Sequence, residues 1–209
     1  MPILSMPATP GIKRTRFLLQ ANTQVFVSPL SQAVQTLERV GARWGASFEL
    51  PPMVRADAEA WCAFLASLLG RAGRFYAGDS AGTTPRGVAT GTPLVKNGGQ
   101  TGSSLTTDGW TVGITGILKT GDYVSWNTPT AWRELHKLTA DATSDGSGNA
   151  TLSITPPIRE SPADNAPLIV QSATCVMMLA SDDAAAWDVD EARIYGIQFS
   201  ADEAFSETF

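Results

Sequence analysis

The chain has 209 residues, of which 43% are hydrophobic and 17% are charged, and its formal net charge is −5. This length allows one or two domains with a core, and the acidic balance excludes a typical nucleic-acid-binding protein, which needs a basic face. The numerous glycine, proline, serine and threonine residues favour short strands and turns over long helices. We therefore expect a mainly β fold.

The amino-terminal stretch shows no targeting signal. Residues 1–11 hold three prolines and lack the charged and apolar blocks of a signal peptide. No apolar run in the chain approaches the length that spans a bilayer, so we expect no membrane segment. Cys62 and Cys175 each lie among apolar residues, which favours two buried free thiols and is consistent with a reducing compartment.

The first predicted elements are strands. Residues 12–26 are rich in β-forming residues, and a second short strand ends at Pro29. Lys13, Arg14 and Arg16 form a cationic cluster in this region. Two interpretations remain open, a solvated strand face and a contact with an acidic partner surface.

The clearest strand covers residues 43–50. Large apolar side chains, Trp44 and Phe48 among them, alternate with polar ones, and two prolines end the run. A period of two predicts that one face of the strand is buried and the other is solvated. A weaker strand over residues 34–40 is predicted to pair with it as a hairpin across Gly41.

One helix is predicted over residues 57–69. Its apolar residues follow the helical period along one stripe, and a glycine-rich stretch stops it. We expect the strand and the helix to build the core of a first unit, with Trp44, Phe48, Trp61 and Leu65 at its centre.

A second unit begins where Gly, Thr and Ser become dominant, with a boundary near Pro85. The strongest turn signal in the chain is residues 145–149, because Gly and Asn tolerate the positive φ of tight turns. Strands over residues 135–140 and 151–154 flank it. This predicts a hairpin at the centre of a small β-barrel.

The end of the chain contains another strand, residues 195–199, which alternates and needs a sheet to join. The first unit is its natural host. We therefore predict that residues 1–84 plus 188–209 form one domain, and that residues 85–187 form an inserted β-barrel. The apolar run over residues 175–179 is then a late buried strand of the insertion.

This arrangement resembles the distal tail proteins of long-tailed siphophages. The residues that carry the resemblance are Arg43-Trp44-Gly45-Ala46-Ser47-Phe48-Glu49-Leu50-Pro51-Pro52, the helix that follows with Gly70-Arg71, Leu118-Lys119-Thr120-Gly121-Asp122-Tyr123, the hairpin over 145–154 with Pro156-Pro157, and Tyr195–Phe199. The resemblance implies an α+β belt domain with one helix and an inserted domain of oligonucleotide/oligosaccharide-binding (OB) type. Trp44, Phe48, Trp61 and Leu65 are then the belt core.

The same resemblance implies a structural virion protein. Six copies would form a ring at the tail tip, between the tail tube protein and the hub or fibre proteins of the receptor-binding apparatus. The ring would be assembled in the host cytoplasm and would end up in the virion. No cofactor, membrane or sequence-specific nucleic acid is expected as a partner.

Catalytic and metal-binding patterns are mostly missing from the sequence. The single histidine, His136, lies beside a lysine in a predicted strand, which favours a surface position.

Residues 141–149 copy the first half of a calcium loop, but its twelfth position is Leu152 where such a loop needs a glutamate, so a plain turn is favoured. We expect no enzyme and no metal site. A second acidic group, favoured as a solvated loop, contains Asp182, Asp183, Asp188, Asp190 and Glu191.

Tryptophans of the second unit suggest an alternative function. Trp126 and Trp132 flank a turn that contains Pro129, and an exposed indole ring there is a candidate platform for a host glycan. A tail-associated module that binds glycan or fibre protein is therefore the alternative to the ring subunit. A polysaccharide hydrolase is a third hypothesis, although no carboxylate pair stands out.

Overall fold

The computed structural model of the chain describes residues 2–205. It is mainly β with a single α-helix, which confirms the predicted fold class. The strands are β1 Ile3–Ser5, β2 Arg14–Gln20, β3 Thr23–Val27, β4 Val34–Glu38, β5 Arg43–Glu49, β6 Met53–Val54, β7 Arg74–Ala77, β8 Gly91–Val95, β9 Gly102–Trp110, β10 Thr115–Leu118, β11 Tyr123–Asn127, β12 Arg133–Leu138, β13 Ala142–Thr143, β14 Ala150–Ile158, β15 Cys175–Leu179, β16 Trp187–Val189 and β17 Ile194–Glu203. The helix α1 is Arg55–Ser67.

The first unit is a curled sheet with strand order β1-β7-β15-β17-β5-β2. The long strand β17 pairs with β5 through its carboxyl half and with β6 and β16 through its amino half. Apolar side chains of β5 and β17 meet on the face that α1 covers; the ring centroids of Phe48 and Phe199 are 4.9 Å apart, and those of Trp61 and Phe199 are 6.1 Å apart. The predicted alternation along β5 is present in this sheet.

The helix begins two residues earlier than predicted, at Arg55. Strand β6 runs to Val54, which pairs with Ile194 and keeps an extended backbone, so the helix starts directly after it. It ends before Leu69 and Gly70, whose positive φ values of 49° and 67° break the helical path.

The predicted hairpin across Gly41 is wrong. Strand β5 pairs with β2 over seven positions, from Arg14–Glu49 to Gln20–Arg43, and β4 pairs with β3. The β2–β5 pairing ends at Gln20 and Arg43, and the β3–β4 pairing begins at Thr23 and Glu38. The chain from β2 to β5 is therefore one long hairpin whose regular pairing is interrupted between these two points. Strand β2 offers β5 seven paired positions, whereas β4 is only five residues long.

The second unit is a small barrel. Its five-stranded sheet has the order β11-β12-β14-β9-β8, and residues 165–169 bridge its two edge strands. On one edge Leu168 N donates to Pro93 O at 3.0 Å; on the other, Ser125 and Ile169 exchange hydrogen bonds of 2.9 and 2.7 Å. The predicted turn over 145–149 is present, held by Asp145, which accepts from the backbone N–H of Ser147 and Asn149.

The predicted return of the chain to the first unit, at residue 188, is corrected by the structure. Strand β15 lies between β7 and β17 in the first sheet, so the chain returns at Cys175. An apolar run of five residues shows that a strand is buried but does not show which sheet it joins. The two cysteines are free and buried, as predicted.

Candidate assembly interface

A hairpin of exposed strands, which we call the arm (residues 23–38), extends from the end of the β2–β5 pair. Its strands β3 and β4 pair with each other over five positions and form a sheet of their own. Every residue of both strands is exposed. Because an isolated two-stranded hairpin is marginally stable in water, a surface that covers the arm would stabilise it.

The arm carries apolar side chains on both faces. Directly opposite residues of an antiparallel pair share a face, so Val25, Val27 and Val34 lie on one face and Phe26 and Leu37 on the other. These five side chains are each between 46% and 61% exposed. No single partner surface on one side could cover all of them, so the arm is suited to insertion between neighbouring surfaces.

The arm also lacks charge. Residues 17–37 contain no Asp, Glu, Lys, Arg or His, and the first charges appear at its base, in Glu38 and Arg39. Proteins normally protect exposed strand edges with charge, proline or bulges, and the one proline here, Pro29, lies in the tip. Open edges and two apolar faces without charge are typical of a surface that another chain covers.

The base of the arm is fixed to the sheet. Arg39 N donates to Asn22 O at 2.8 Å, and the Asn22 side-chain amide donates to Val40 O at 2.9 Å. The Arg39 guanidinium donates to Gln24 Oε1 at 2.8 Å. The arm therefore leaves the first unit in a defined direction.

Beside the base lies a cavity of about 380 Å³, which we call the junction pocket because both units line it. Its apolar lining comes from Val40, Trp132, Ala204 and Phe205. Four charged residues also line it, two of each sign: Arg133, Glu134, Arg159 and Glu160.

The carboxylates of the junction pocket are already bonded within the protein. Glu134 accepts from the backbone N–H groups of Arg159 at 3.3 Å and Glu160 at 2.9 Å. Glu160 accepts from Thr130 N at 3.2 Å and from Thr130 Oγ1 at 2.7 Å. The acidic groups of the pocket are thus largely committed to their own neighbours.

Arg159 connects the barrel to the first unit. Its guanidinium donates to Ala42 O at 3.2 Å and forms a hydrogen-bonded ion pair with Glu203 of β17. Glu203 also accepts from Trp44 N at 3.0 Å, and the ring of Phe205 lies 4.6 Å from the guanidinium carbon. Burial raises the pKa of Glu203 to about 7, even though Arg159 acts in the opposite direction.

His136 is buried in the barrel, which corrects the predicted surface position. Its ring stacks on Trp126 with centroids 4.3 Å apart; Nδ1 lies 2.7 Å from Pro156 O, and Nε2 lies 3.1 Å from Glu134 Oε2. A carbonyl oxygen can only accept, so Nδ1 donates to Pro156 O, and Nε2 faces the Glu134 carboxylate. Burial lowers the pKa of His136, although Glu134 raises it. Both ring nitrogens are occupied, so this histidine is not placed as a free catalytic base.

The two tryptophans predicted as a binding surface have different positions. Trp126 is fully buried and its indole nitrogen has no hydrogen-bond partner within residues 2–205, so it cannot serve as a platform for a ligand. The proline-containing turn made one of the two a candidate for exposure, but Trp126 belongs to β11, which is covered on both faces. Trp132 lines the junction pocket, with the guanidinium of Arg74 6.0 Å from its ring.

The four residues predicted for the centre of the first unit lie in one buried cluster. Trp44 and Phe48 of β5 and Trp61 and Leu65 of the helix are each at most 4% exposed and belong to the same core cluster. They support the sheet from which the arm extends, and they present no surface to a partner.

The charged clusters singled out in the sequence lie apart from the arm. Lys13 pairs with Glu49 at 2.6 Å, and Arg14 and Arg16 are exposed on edge strand β2. The carboxylate of Asp145, in the segment that resembles a calcium loop, is occupied by hydrogen bonds from its own turn. Across residues 2–205 no group of three His, Cys, Asp or Glu side chains is arranged to hold a metal ion.

Comparison with protein-family models and with the curated proteins gives no match for this chain. In the part of the chain that the structure describes, no helix has the length and apolarity needed to cross a bilayer.

Sequence reasoning did not identify the arm or the junction pocket as sites. The signal for the arm was available as the uncharged run of residues 17–37 among strand-forming residues. The pocket had no such signal, because its residues come from five separate segments.

Proposed function

We propose that this protein is a non-enzymatic structural subunit that assembles with copies of itself. The observation that carries the proposal is the arm, which has no charge between Thr23 and Leu37, carries apolar side chains on both faces and is exposed at every strand residue. A hairpin of this composition would be a liability on a protein that stays alone. Contact with a neighbouring copy would bury its apolar side chains and pair its open edges.

The most specific form of this proposal is a distal tail protein of a siphophage. Six copies, the number implied by the resemblance, would form a ring at the tail tip between the tail tube protein and the hub or fibre proteins. Head-to-tail contacts that close by rotation generate such rings. The negative net charge suits a channel that DNA crosses without being bound.

The test is the mass of the purified protein by multi-angle light scattering across a concentration series. We expect a hexamer, or a monomer that shifts towards one as concentration rises. The matched variant replaces residues 24–37 with Asn-Gly, which joins Thr23 to Glu38 by a two-residue hairpin turn. It should remain monomeric. A wild-type protein that is strictly monomeric at every concentration would overturn self-assembly.

A second candidate function is binding of a host glycan or a fibre protein, which the position of Trp132 in the junction pocket favours. Isothermal titration with host-surface glycans, repeated with Trp132→Ala, tests it. Heat of binding that is lost in the variant while the mass stays unchanged would support this function. Absence of binding by the wild-type protein would remove it.

A further inference from the structure

The junction pocket is suited to an apolar side chain. Its carboxylates are bonded to the protein itself, and its two arginines and two glutamates cancel in charge. An ion needs free polar groups to bind, because a buried charge without a partner costs free energy. The remaining lining, formed by Val40, Trp132, Ala204 and Phe205, offers apolar contact.

The same chain carries a side chain that fits. Leu30 at the tip of the arm is 96% exposed, and it follows Pro29 in an uncharged turn. A cavity of about 150 Å³ is sufficient for a benzene molecule. The junction pocket, at about 380 Å³, therefore has room for Leu30 together with the proline ring.

Leu30 cannot reach the pocket of its own chain. Val40, which lines the pocket, lies at the base of the arm, just after the Thr23–Glu38 pair. Five residues of β-strand and the turn beyond them place the tip on the order of 20 Å from that base. Contact between Leu30 and the pocket must therefore join two copies.

We propose that Leu30 of one copy inserts into the junction pocket of the next copy, so that each arm tip is covered at the base of the following arm. This inference rests on the proposed function, since it names the surface that receives the arm. The contact joins two different patches of the chain, so it is heterologous and repeats head to tail. The neutral arm matches a pocket whose charges cancel.

The test is cross-linking of the full-length variant that carries Leu30→Cys and Val40→Cys together. Val40 is 88% exposed and the native cysteines are buried, so neither substitution disturbs the core and the new thiols are the accessible ones. Under mild oxidation the double variant should give a ladder of disulfide-linked oligomers on non-reducing gels. Each single-cysteine variant should give at most a dimer.

Light scattering on the wild-type protein separates the two levels of the proposal. An oligomeric wild-type protein whose double variant gives no more cross-linking than the single variants would overturn the docking of Leu30 and leave self-assembly standing. A ladder that stops at the dimer would overturn the head-to-tail arrangement in favour of a reciprocal pair. A strictly monomeric wild-type protein would overturn both.

Discussion

The indole N–H of Trp44 donates to the backbone carbonyl oxygen of Leu135 at 2.8 Å, and this bond joins the first sheet to the barrel. Both residues are buried, and Leu135 belongs to the core cluster of the first unit although it lies in the barrel. Together with the ion pair between Arg159 and Glu203, it fixes the orientation of the two units. Of the residues in these two contacts, Arg159 also lines the junction pocket.

The first prediction concerns this bond. Trp44→Phe keeps an aromatic ring against Phe17 and Tyr123 but removes the only donor of the side chain. Leaving the buried Leu135 oxygen without this donor should lower the free energy of unfolding by about 1–3 kcal/mol beyond the loss of packing. Urea denaturation followed by fluorescence measures the change.

The matched control is Trp126→Phe. Trp126 is equally buried, but its indole nitrogen has no hydrogen-bond partner among the described residues, so this variant loses ring volume and no hydrogen bond. We expect Trp44→Phe to be the more destabilising of the two. Equal losses in the two variants would contradict a structural role for the bond between the units.

The second prediction is a pH dependence that comes from Glu203. Burial raises its pKa in the folded protein to about 7, above the usual value of 4.5. The folded state therefore binds this proton more tightly than the unfolded state does. The resulting stability is fully present below about pH 4.5 and is lost as the pH rises through 7.

Comparison with Glu203→Gln isolates this effect, because glutamine does not titrate and the other groups are common to both proteins. The difference in free energy of unfolding, wild type minus variant, should fall by about 3 kcal/mol between pH 4.5 and pH 8. Denaturation curves at several pH values measure it. A difference that rises with pH would show that Arg159 outweighs burial and holds the carboxyl ionised.

The sequence predicted those elements whose pattern is local. The alternation around Trp44 and Phe48 defined β5, and the stripe through Trp61 and Leu65 defined the helix to within two residues. The turn at Asp145 was equally clear, because Gly and Asn were present where the backbone needs them.

Long-range relationships were not predictable in this way. The apolar run from Cys175 to Leu179 predicted a buried strand. Nothing in the run itself shows whether the strand joins the sheet of the barrel or, as it does, the sheet of the first unit. The polar neighbours Glu134 and Lys137 led to the prediction that His136 lies at the surface. In the structure, β12 is covered on both faces. Burial of a polar residue depends on partners such as Pro156 that are distant in sequence.

The third prediction concerns Asp122, which ties the linker between the units to the barrel. This buried carboxylate accepts from the backbone N–H groups of Arg86 at 2.8 Å, Gly87 at 3.1 Å and Lys119 at 2.8 Å. Asp122→Ala leaves three donors without their acceptor, and should lower the free energy of unfolding by about 3 kcal/mol or more. Asp122→Asn keeps one acceptor oxygen and should lose less.

Thermal unfolding of the two Asp122 variants beside the wild-type protein provides the measurement. Asp141→Ala is the control, since that carboxylate also accepts from a backbone N–H, that of Thr120, as well as from the Thr120 hydroxyl and Lys119 Nζ, but is exposed. Water can replace the lost acceptor there, so the change should be small. If Asp141→Ala lowered the stability more than Asp122→Ala, burial of the carboxylate would not explain the loss of stability.

The fourth prediction separates assembly from folding. Phe26→Glu places a charge on one apolar face of the arm, where the wild-type side chain is 61% exposed and adds little to the stability of a single copy. The melting temperature of the dilute protein should therefore change little, while light scattering should show at least a tenfold weaker association, because the charge would be buried against the neighbouring copy. Val88→Glu, at a valine of similar exposure outside the arm, is the control and should assemble like the wild type. If both variants assembled normally, contact between copies would have to occur through another surface, and the exposed face of the arm would need a partner other than this chain.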